Sequence, residues 1–321
     1  MSALKLPLLA MVCACVTGAA LAADYPSRPV RFVVPYTPGA INDFIARLIG
    51  QKLAMSWVQQ VIVDNRAGGG TTIGTDIVAK SAPDGHTLLL TATAFAINAA
   101  FYPKLPFDTL RDFAPVTQIG AAPMLLAINA QLPVKSVKDL VALAKSRPGQ
   151  LAYGSTGSGG SAHLMGEMFK SMAGIDVAHV PYKGLAPALT DVMSGQLGYT
   201  FGSQLALEGP LKSGRLRAIA VTGKTRLRTL PELPTIAESG YPNYAMTAWW
   251  GIAVPARTPP ALVKRLRDDV AGVLGETDVR ERLTGQGIEI AATTSAEFAR
   301  FVRDEIERWG DAVRLSGARP D

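Results

Sequence analysis

Short β-branched segments alternate along this chain with segments whose apolar residues recur every three or four positions, which points to an α/β fold. Residues 30–35 form the first such strand and end at a proline, and residues 42–55 follow with one apolar helical face. Strands at 61–63 and 87–91 enclose a second helix at 73–81. Because a strand–helix–strand succession requires right-handed crossovers, we predict a parallel sheet.

The rest of the chain continues this pattern and favours a division into two lobes. Further strands are predicted at 124–128, 151–153, 177–180, 216–221, 251–254 and 288–291. Residues 115–123 and 240–255 are rich in proline and glycine, which is typical of segments that connect domains. We therefore predict a discontinuous first lobe, formed by residues 23–122 and 245–321, and a second lobe formed by residues 123–244.

Two helices carry the sequence signature of a side-chain cap at their N-terminus. Ser136 precedes Asp139 by three residues, and Thr294 precedes Glu297 by three residues. A hydroxyl followed three positions later by an acidic residue satisfies the first free amides of a helix. We predict that helices begin immediately after Ser136 and Thr294.

Residues 1–22 have the composition of a secretory signal peptide. A lysine gives a positive start, residues 6–20 are uncharged and apolar, and the Ala-Leu-Ala sequence ending at Ala22 fits a small-x-small cleavage site. The apolar run is shorter than the roughly 20 residues of a membrane-spanning helix. We expect export to the periplasm with cleavage after Ala22. Both cysteines lie in this segment, so the mature chain offers no disulfide or thiolate chemistry.

The net charge of +6 is dispersed over the chain. Its lysines and arginines occur singly, without the dense basic run and interleaved aromatic residues that follow a nucleic acid. We therefore expect no nucleic-acid partner and a mild preference for anionic ligands.

Several loops that follow predicted strands are rich in glycine, serine and threonine. They span residues 35–43, 65–72, 91–93 and 153–161. In an open α/β sheet such loops lead into helix N-termini, where ligands bind beyond the carboxyl ends of the strands. Glycine permits close approach of the backbone, hydroxyls donate hydrogen bonds, and first-turn amides carry partial positive charge. Together these loops predict a site for an anion that needs no buried cation.

Some polar and aromatic residues near these loops allow two interpretations. Asp43 lies in a first helical turn, where an acidic side chain more often stabilises the helix dipole than contacts a ligand. Lys183 can pair with a ligand carboxylate or remain at the rim. Trp249 and Trp250 can form the wall of a pocket or pack in the core, and core packing is the preferred interpretation.

The residues that most enzymes use are scarce here. The chain has three histidines and no Gly-x-Ser-x-Gly sequence. His163 and Glu167 are four residues apart, but a third metal ligand is not apparent. We expect no metal, no cofactor and no catalysis. An exported hydrolase acting through Ser155 or Ser161 with His163 stays open as an alternative.

As an ordered set, the loops resemble the substrate-binding receptors of tripartite tricarboxylate transporters, the Bug receptors. The motifs that carry the resemblance cover essentially the whole mature chain and lie at 25–43, 65–74, 82–89, 153–163, 179–184, 214–222 and 230–236. The resemblance implies a type II periplasmic-binding-protein fold, with two lobes, a hinge and a ligand cleft between them. It also implies capture of a small carboxylate, either an organic acid or an acidic amino acid, and its delivery to membrane permease subunits by a monomeric receptor. A sensing subunit for a membrane kinase is the alternative.

The resemblance places ligand contacts in the loop at 37–43, in the loop at 155–161 and near residues 183–184. Together with the other loops, this gives a predicted ligand-binding set of Thr37, Ala40, Asn42, Asp43, Gly70, Thr93, Ser155, Thr156, Gly157, Ser161, Lys183, Gly184 and Gln204. The family commonly has glycine where this chain has Ala40, and an acidic residue where it has Gly198. These departures affect the ligand expected more than the fold.

Overall fold

The computed structural model describes residues 25–320. The predicted signal peptide and its cleavage site after Ala22 lie outside the described residues. The strands are β1 (Val30–Val34), β2 (Val61–Asn65), β3 (Thr87–Ala92), β4 (Phe113–Pro123), β5 (Leu125–Asn129), β6 (Ala152–Ser155), β7 (Ala178–Pro181), β8 (Tyr199–Gly202), β9 (Leu216–Val221), β10 (Thr247–Pro255) and β11 (Glu289–Ile290).

The helices follow the strands closely in the chain. They are α1 (Ile41–Trp57), α2 (Thr72–Ala79), α3 (Thr93–Phe101), α4 (Val137–Ser146), α5 (Ser161–Ala173), α6 (Leu185–Ser194), α7 (Gln204–Lys212), α8 (Pro260–Gly275), α9 (Thr277–Thr284) and α10 (Ser295–Ser316). A short 3₁₀ turn, Gly69–Thr71, precedes α2. Among these described helices, none is both long and apolar enough to cross a bilayer.

In residues 25–320 the strands form two sheets. The six-stranded sheet has the order β11-β4-β10-β3-β1-β2, and the five-stranded sheet has the order β7-β6-β8-β5-β9. The predicted parallel pairing is present within β2-β1-β3 and β7-β6-β8. Elsewhere the prediction of a parallel sheet is wrong, because β10 pairs antiparallel with both β3 and β4, and β5 pairs antiparallel with both β8 and β9. The antiparallel strands include those that carry the chain between the sheets.

The chain crosses from the first sheet to the second at Met124, and it returns between β9 and β10. Thr222 connects the two crossings: its hydroxyl accepts from the Met124 amide (2.8 Å) and donates to the Met246 carbonyl (2.7 Å). The backbone of Thr222 also bonds to both residues. The side chain of Thr222 is fully buried, so these bonds are shielded from water.

Apolar faces of the helices pack against the strands of both sheets. In α1 the residues at helical spacing, including Ile45, Ile49 and Leu53, are fully buried. The inner strand β1 is apolar except for Arg31, and its four apolar residues are fully buried, as expected of a strand covered on both faces. The loops at the carboxyl ends of β1, β2, β3, β6 and β7 are therefore held on a rigid framework.

Candidate ligand-binding site

A cavity of about 520 Å³ lies between the two sheets, where loops from both meet. Its size is within the range of small-molecule sites. Its walls come from the loops after β1, β2, β3, β6, β7 and β8 and from the start of β10. The loops predicted from their glycine and hydroxyl content thus surround one space.

Most of the predicted ligand-binding residues line this cavity. They are Thr37, Ala40, Asn42, Gly70, Thr93, Thr156, Gly157, Ser161, Lys183 and Gly184. Asp43, Ser155 and Gln204 do not line it, and each has other partners, given below.

Four helices that open onto the cavity begin with alanine or glycine at the N-cap, whereas α7, which also opens onto it, is capped by Ser203. In the described part of the chain, α1, α3, α5 and α6 have Ala40, Ala92, Gly160 and Gly184 at the N-cap, and all four residues line the cavity. Alanine and glycine supply no side-chain acceptor to the first amides. Those amides carry the positive end of the helix dipole.

Two helices that begin away from the cavity, α4 and α10, show the contrasting arrangement predicted from their sequence. The starts of α8 and α9 also lie away from the cavity and have no side-chain cap. The Ser136 hydroxyl accepts from the Asp139 amide at the start of α4. Thr294 and Glu297 form a reciprocal capping box at the start of α10. A capping side chain is worth about 1 kcal/mol, so its omission at the cavity leaves amide donors available at the expense of stability.

Asp43 stabilises the first loop. Its Oδ2 accepts from the Gly39 amide (3.0 Å) and from Arg47 Nε (2.9 Å). Burial alone would raise the pKa of Asp43, but the hydrogen bonds from Arg47, Gly39 and Asn65 outweigh it and hold the pKa below its ordinary value. Asp43 is therefore ionised at neutral pH, and its charge is directed to the turn at Gly39 and to Arg47.

Ser155 is fully buried behind the cavity wall. Its Oγ lies 2.6 Å from His179 Nε2 and accepts from the Gly157 amide (3.1 Å). The His179 ring stacks on the His163 ring with centroids 4.1 Å apart. These contacts fix the shape of the loop at 155–161. Within the described residues no cluster of three or more His, Cys, Asp or Glu could hold a metal.

Gln204 lies where the second sheet meets α9, beyond the cavity. Its Nε2 donates to the Gly285 carbonyl (3.2 Å), and its Oε1 accepts from Thr229 (2.6 Å). Both side-chain groups of Gln204 are thus engaged in contacts outside the cavity.

Three lining side chains supply additional donors at or near the loops after β1 and β7. Asn42 Oδ1 accepts from Trp250 Nε1 (2.8 Å), so the Asn42 amide nitrogen is its remaining donor. The Tyr36 hydroxyl forms no hydrogen bond to a described residue, and desolvation raises its pKa, so it stays a neutral donor. Lys183 is exposed, and among the lining residues of the described chain it is the single charged one.

The loops of the two halves touch each other across the cavity. The Tyr102 hydroxyl donates to the Ser158 carbonyl (3.1 Å). A Cβ added at Gly184 would lie 2.9 Å from Thr37 Oγ1. Gly184 has a φ of +114°, which favours glycine. This approach of the β1 and β7 loops therefore depends on the absence of a side chain at position 184.

Several lining residues were not predicted from the sequence. Phe201 and Ser203 belong to the short strand β8 and the cap of α7, and Met124 and Ala248 lie at the crossings. The tryptophans at 249–250 are buried, as the preferred interpretation held, and they also line the cavity. A serine directly after an apolar run, as at Ser203, is the one local signal that could have located a helix start there.

Comparison with known protein families identifies the chain. Residues 45–317 match the family described as the tripartite tricarboxylate transporter family receptor. The chain belongs to this receptor family. It is 36% identical to the protein BugT of Bordetella pertussis over 305 residues, which cover 94% of each chain.

Two solved structures of related receptors are similar to this chain in fold and sequence. The Rhodopseudomonas palustris protein Rpa4515, solved with adipate, is 36% identical with a TM-score of 0.89, and the match covers 92% of this chain and 100% of that one. MatC from the same organism, solved with bound malate, is 31% identical with a TM-score of 0.85 and covers 90% and 100%.

The receptor thus has the predicted type II periplasmic-binding-protein fold and is a solute-binding protein of a periplasmic family. It is a receptor and not an enzyme, since the family and these neighbours bind their ligands as substrate-binding proteins. The buried position of Ser155 is consistent with this, because its hydroxyl does not face the cavity.

Proposed function

We propose that this receptor captures a small organic acid in the cavity between its sheets and delivers it to the permease subunits of a tripartite tricarboxylate transporter. The observation that carries the proposal is the convergence of uncapped helix N-termini, at Ala40, Ala92, Gly160 and Gly184, on a cavity without an acidic side chain in its described lining. Such amides bind anions without a buried cation. The adipate and malate bound by the related receptors are carboxylates, which agrees with this chemistry.

The proposal assigns ligand contacts to the predicted residues that line the cavity, led by Thr37, Asn42, Thr156, Ser161 and Lys183. Lys183 adds a charge at the rim that attracts anions during encounter. A carboxylate that accepts four or five such hydrogen bonds, each worth about 1.5–3 kcal/mol, recovers much of its desolvation cost.

The lobes in this proposal are residues 23–122 with 245–321, and residues 123–244. The division is supported by the two sheets, since β1–β4, β10 and β11 form one and β5–β9 form the other. Motion of one lobe against the other, bending near Thr222, opens and closes the cavity. The receptor acts as an exported monomer after cleavage following Ala22.

Isothermal titration calorimetry with pairs of carboxylic acids and their uncharged amides tests the binding chemistry. At least one acid should bind 1:1, and its amide should bind at least about 100-fold more weakly, because two or more charge-assisted hydrogen bonds are lost. Lys183→Gln should weaken the acid severalfold, and Lys138→Gln, an exposed site on α4, should have no effect. An amide that binds as tightly as its acid would exclude the proposed function.

A further inference from the structure

The cavity has two chemically different ends, and the order of the strands in each sheet shows where each end lies. In the first sheet the order β10-β3-β1-β2 runs from the crossing strand to the edge, and in the second sheet β5-β8-β6-β7 does the same. The two edges face each other, since Gly184 after β7 meets Thr37 after β1, and Gly70 after β2 meets Ser158 after β6. We term the loop end the part of the cavity that is lined by the loops after β1, β2, β6 and β7.

The loop end is polar and positive. It contains the glycines and hydroxyls of the loops after β1, β2 and β6, and the uncapped N-termini of α1, α5 and α6. Lys183, the charged lining residue, also lies here, directly before α6. All of these features favour a carboxylate at the loop end.

The opposite end, near the crossing strands, is apolar. We term it the strand end and define it by Met124, Phe201, Ala206, Ala248 and Trp250. Strand pairing brings Met124, Ala248 and Phe201 together: Ala248 lies opposite Ala122, two residues before Met124, and Phe201 lies opposite Leu126, two residues after it. The strand end is therefore lined by apolar side chains from both sheets.

Polar atoms at or next to the strand end are largely engaged with the protein itself. Trp250 Nε1 donates to Asn42 Oδ1 (2.8 Å). The Ser203 hydroxyl caps α7 by accepting from the Ala206 amide (3.3 Å), in contrast to the open helices of the loop end. The Thr93 hydroxyl accepts from the Trp249 amide (3.0 Å). The uncapped N-terminus of α3 also lies at this end, since its N-cap Ala92 pairs with Trp250, but no charged side chain lines the strand end. A carboxylate placed here would therefore lose its hydration for the amides of one helix, instead of three helices and a lysine at the loop end.

Resting on the proposed function, we infer that the preferred ligand is a monocarboxylic acid with an apolar body. The carboxylate lies at the loop end, and a hydrocarbon ring or branched chain packs against Met124, Phe201 and Trp250. Dicarboxylates of the same skeleton are disfavoured, because their second carboxylate would enter the strand end.

Calorimetry with matched probes tests this inference. Cyclohexanecarboxylate, benzoate and 3-methylbutanoate are each compared with their amide and with a dicarboxylate of similar skeleton, and malate is included as a short diacid. The best monoacid should bind at least about tenfold more tightly than its diacid partner and than malate. Diacids that match or exceed the monoacids throughout would overturn the inference and leave the carboxylate-binding function intact. Equal binding of acids and amides would instead remove the proposed function itself.

A charge-introducing variant provides an independent readout. Ala206 is half-buried in the first turn of α7 and lines the strand end, so Ala206→Arg should be tolerated and should place a cation there. The ratio of diacid to monoacid affinity should rise at least about tenfold. Ala142→Arg adds the same charge at an exposed position of α4 and should leave the ratio unchanged. An unchanged ratio in Ala206→Arg would contradict the assignment of the strand end.

Discussion

Replacing Ala40 with aspartate is expected to raise the melting temperature of this receptor while abolishing carboxylate binding. Ala40 is the N-cap of α1, with φ −90° and ψ 173°, the extended conformation that a capping residue needs. An aspartate there accepts from the free first-turn amides and gains about 0.5–2 kcal/mol of stability. That gain raises the melting temperature by about 1–3 °C in a protein of this size.

The same aspartate occupies the amides that the ligand requires and adds a negative charge beside it. The affinity for the best carboxylate should fall at least about 100-fold, as two charge-assisted bonds are lost and repulsion is added. Ser136→Ala is the matched control, since it removes the cap of α4 away from the cavity and should lower stability by about 1 kcal/mol without changing affinity. Scanning calorimetry and titration calorimetry measure both effects. Undiminished binding by Ala40→Asp would show that the α1 amides do not hold the ligand.

Replacing Gly157 with valine should eliminate binding at a moderate loss of stability. Gly157 lines the cavity and has a φ of +116°, a conformation that valine adopts at a cost of about 1–3 kcal/mol. Its peptide groups are also fixed, because its amide donates to Ser155 Oγ (3.1 Å) and its carbonyl accepts from the Gly160 amide (3.1 Å). Relief of the strain therefore moves the start of α5, and affinity should fall at least about 100-fold.

Gly174→Val separates backbone strain from damage to the site. Gly174 ends α5 at a φ of +59°, and a Cβ added there would have no atom within 4 Å, so a valine is also strained but touches no ligand loop. Both variants should lose stability in thermal unfolding by a comparable amount. Only Gly157→Val should lose binding in titration calorimetry, and a similar loss in Gly174→Val would mean that reduced stability alone explains the effect.

The elements with regular periodicity could be predicted from the sequence. The strand predicted at 30–35 and the helix predicted at 42–55 lie within two residues of β1 and α1. Their hydrophobic patterns are local and match their burial. The ligand loops at their carboxyl ends could also be predicted, because glycine permits the open turns and hydroxyl side chains supply the donors that such a site needs.

The crossing strands could not be predicted in the same way. The β4 strand contains Pro115, Gly120 and Pro123 and was interpreted as a connection between lobes. It is a strand because β10 shifts register near Pro115 and Gly120, and such irregularities accommodate proline and glycine in a sheet. This pairing joins residues more than a hundred positions apart, which no local pattern encodes.

The apolar part of the site could not be predicted from the sequence for the same reason. Phe201 comes from the four-residue strand β8, and Met124 comes from a crossing, so neither carries a local signature of a binding residue. Ser155, chosen for its place in a glycine-rich loop, is turned away from the cavity by its contact with His179. Sequence thus located the donors of the loop end, and the tertiary structure was needed to locate the strand end.

A crystal structure of the receptor with its best-binding monocarboxylate would test most directly whether the open helix N-termini bind the carboxylate. The carboxylate oxygens should lie about 2.7–2.9 Å from backbone nitrogens at the starts of α1 and α5, with the hydrocarbon part toward Phe201. A ligand bound elsewhere, with those nitrogens bonded to protein acceptors, would contradict the role assigned to the open helix ends.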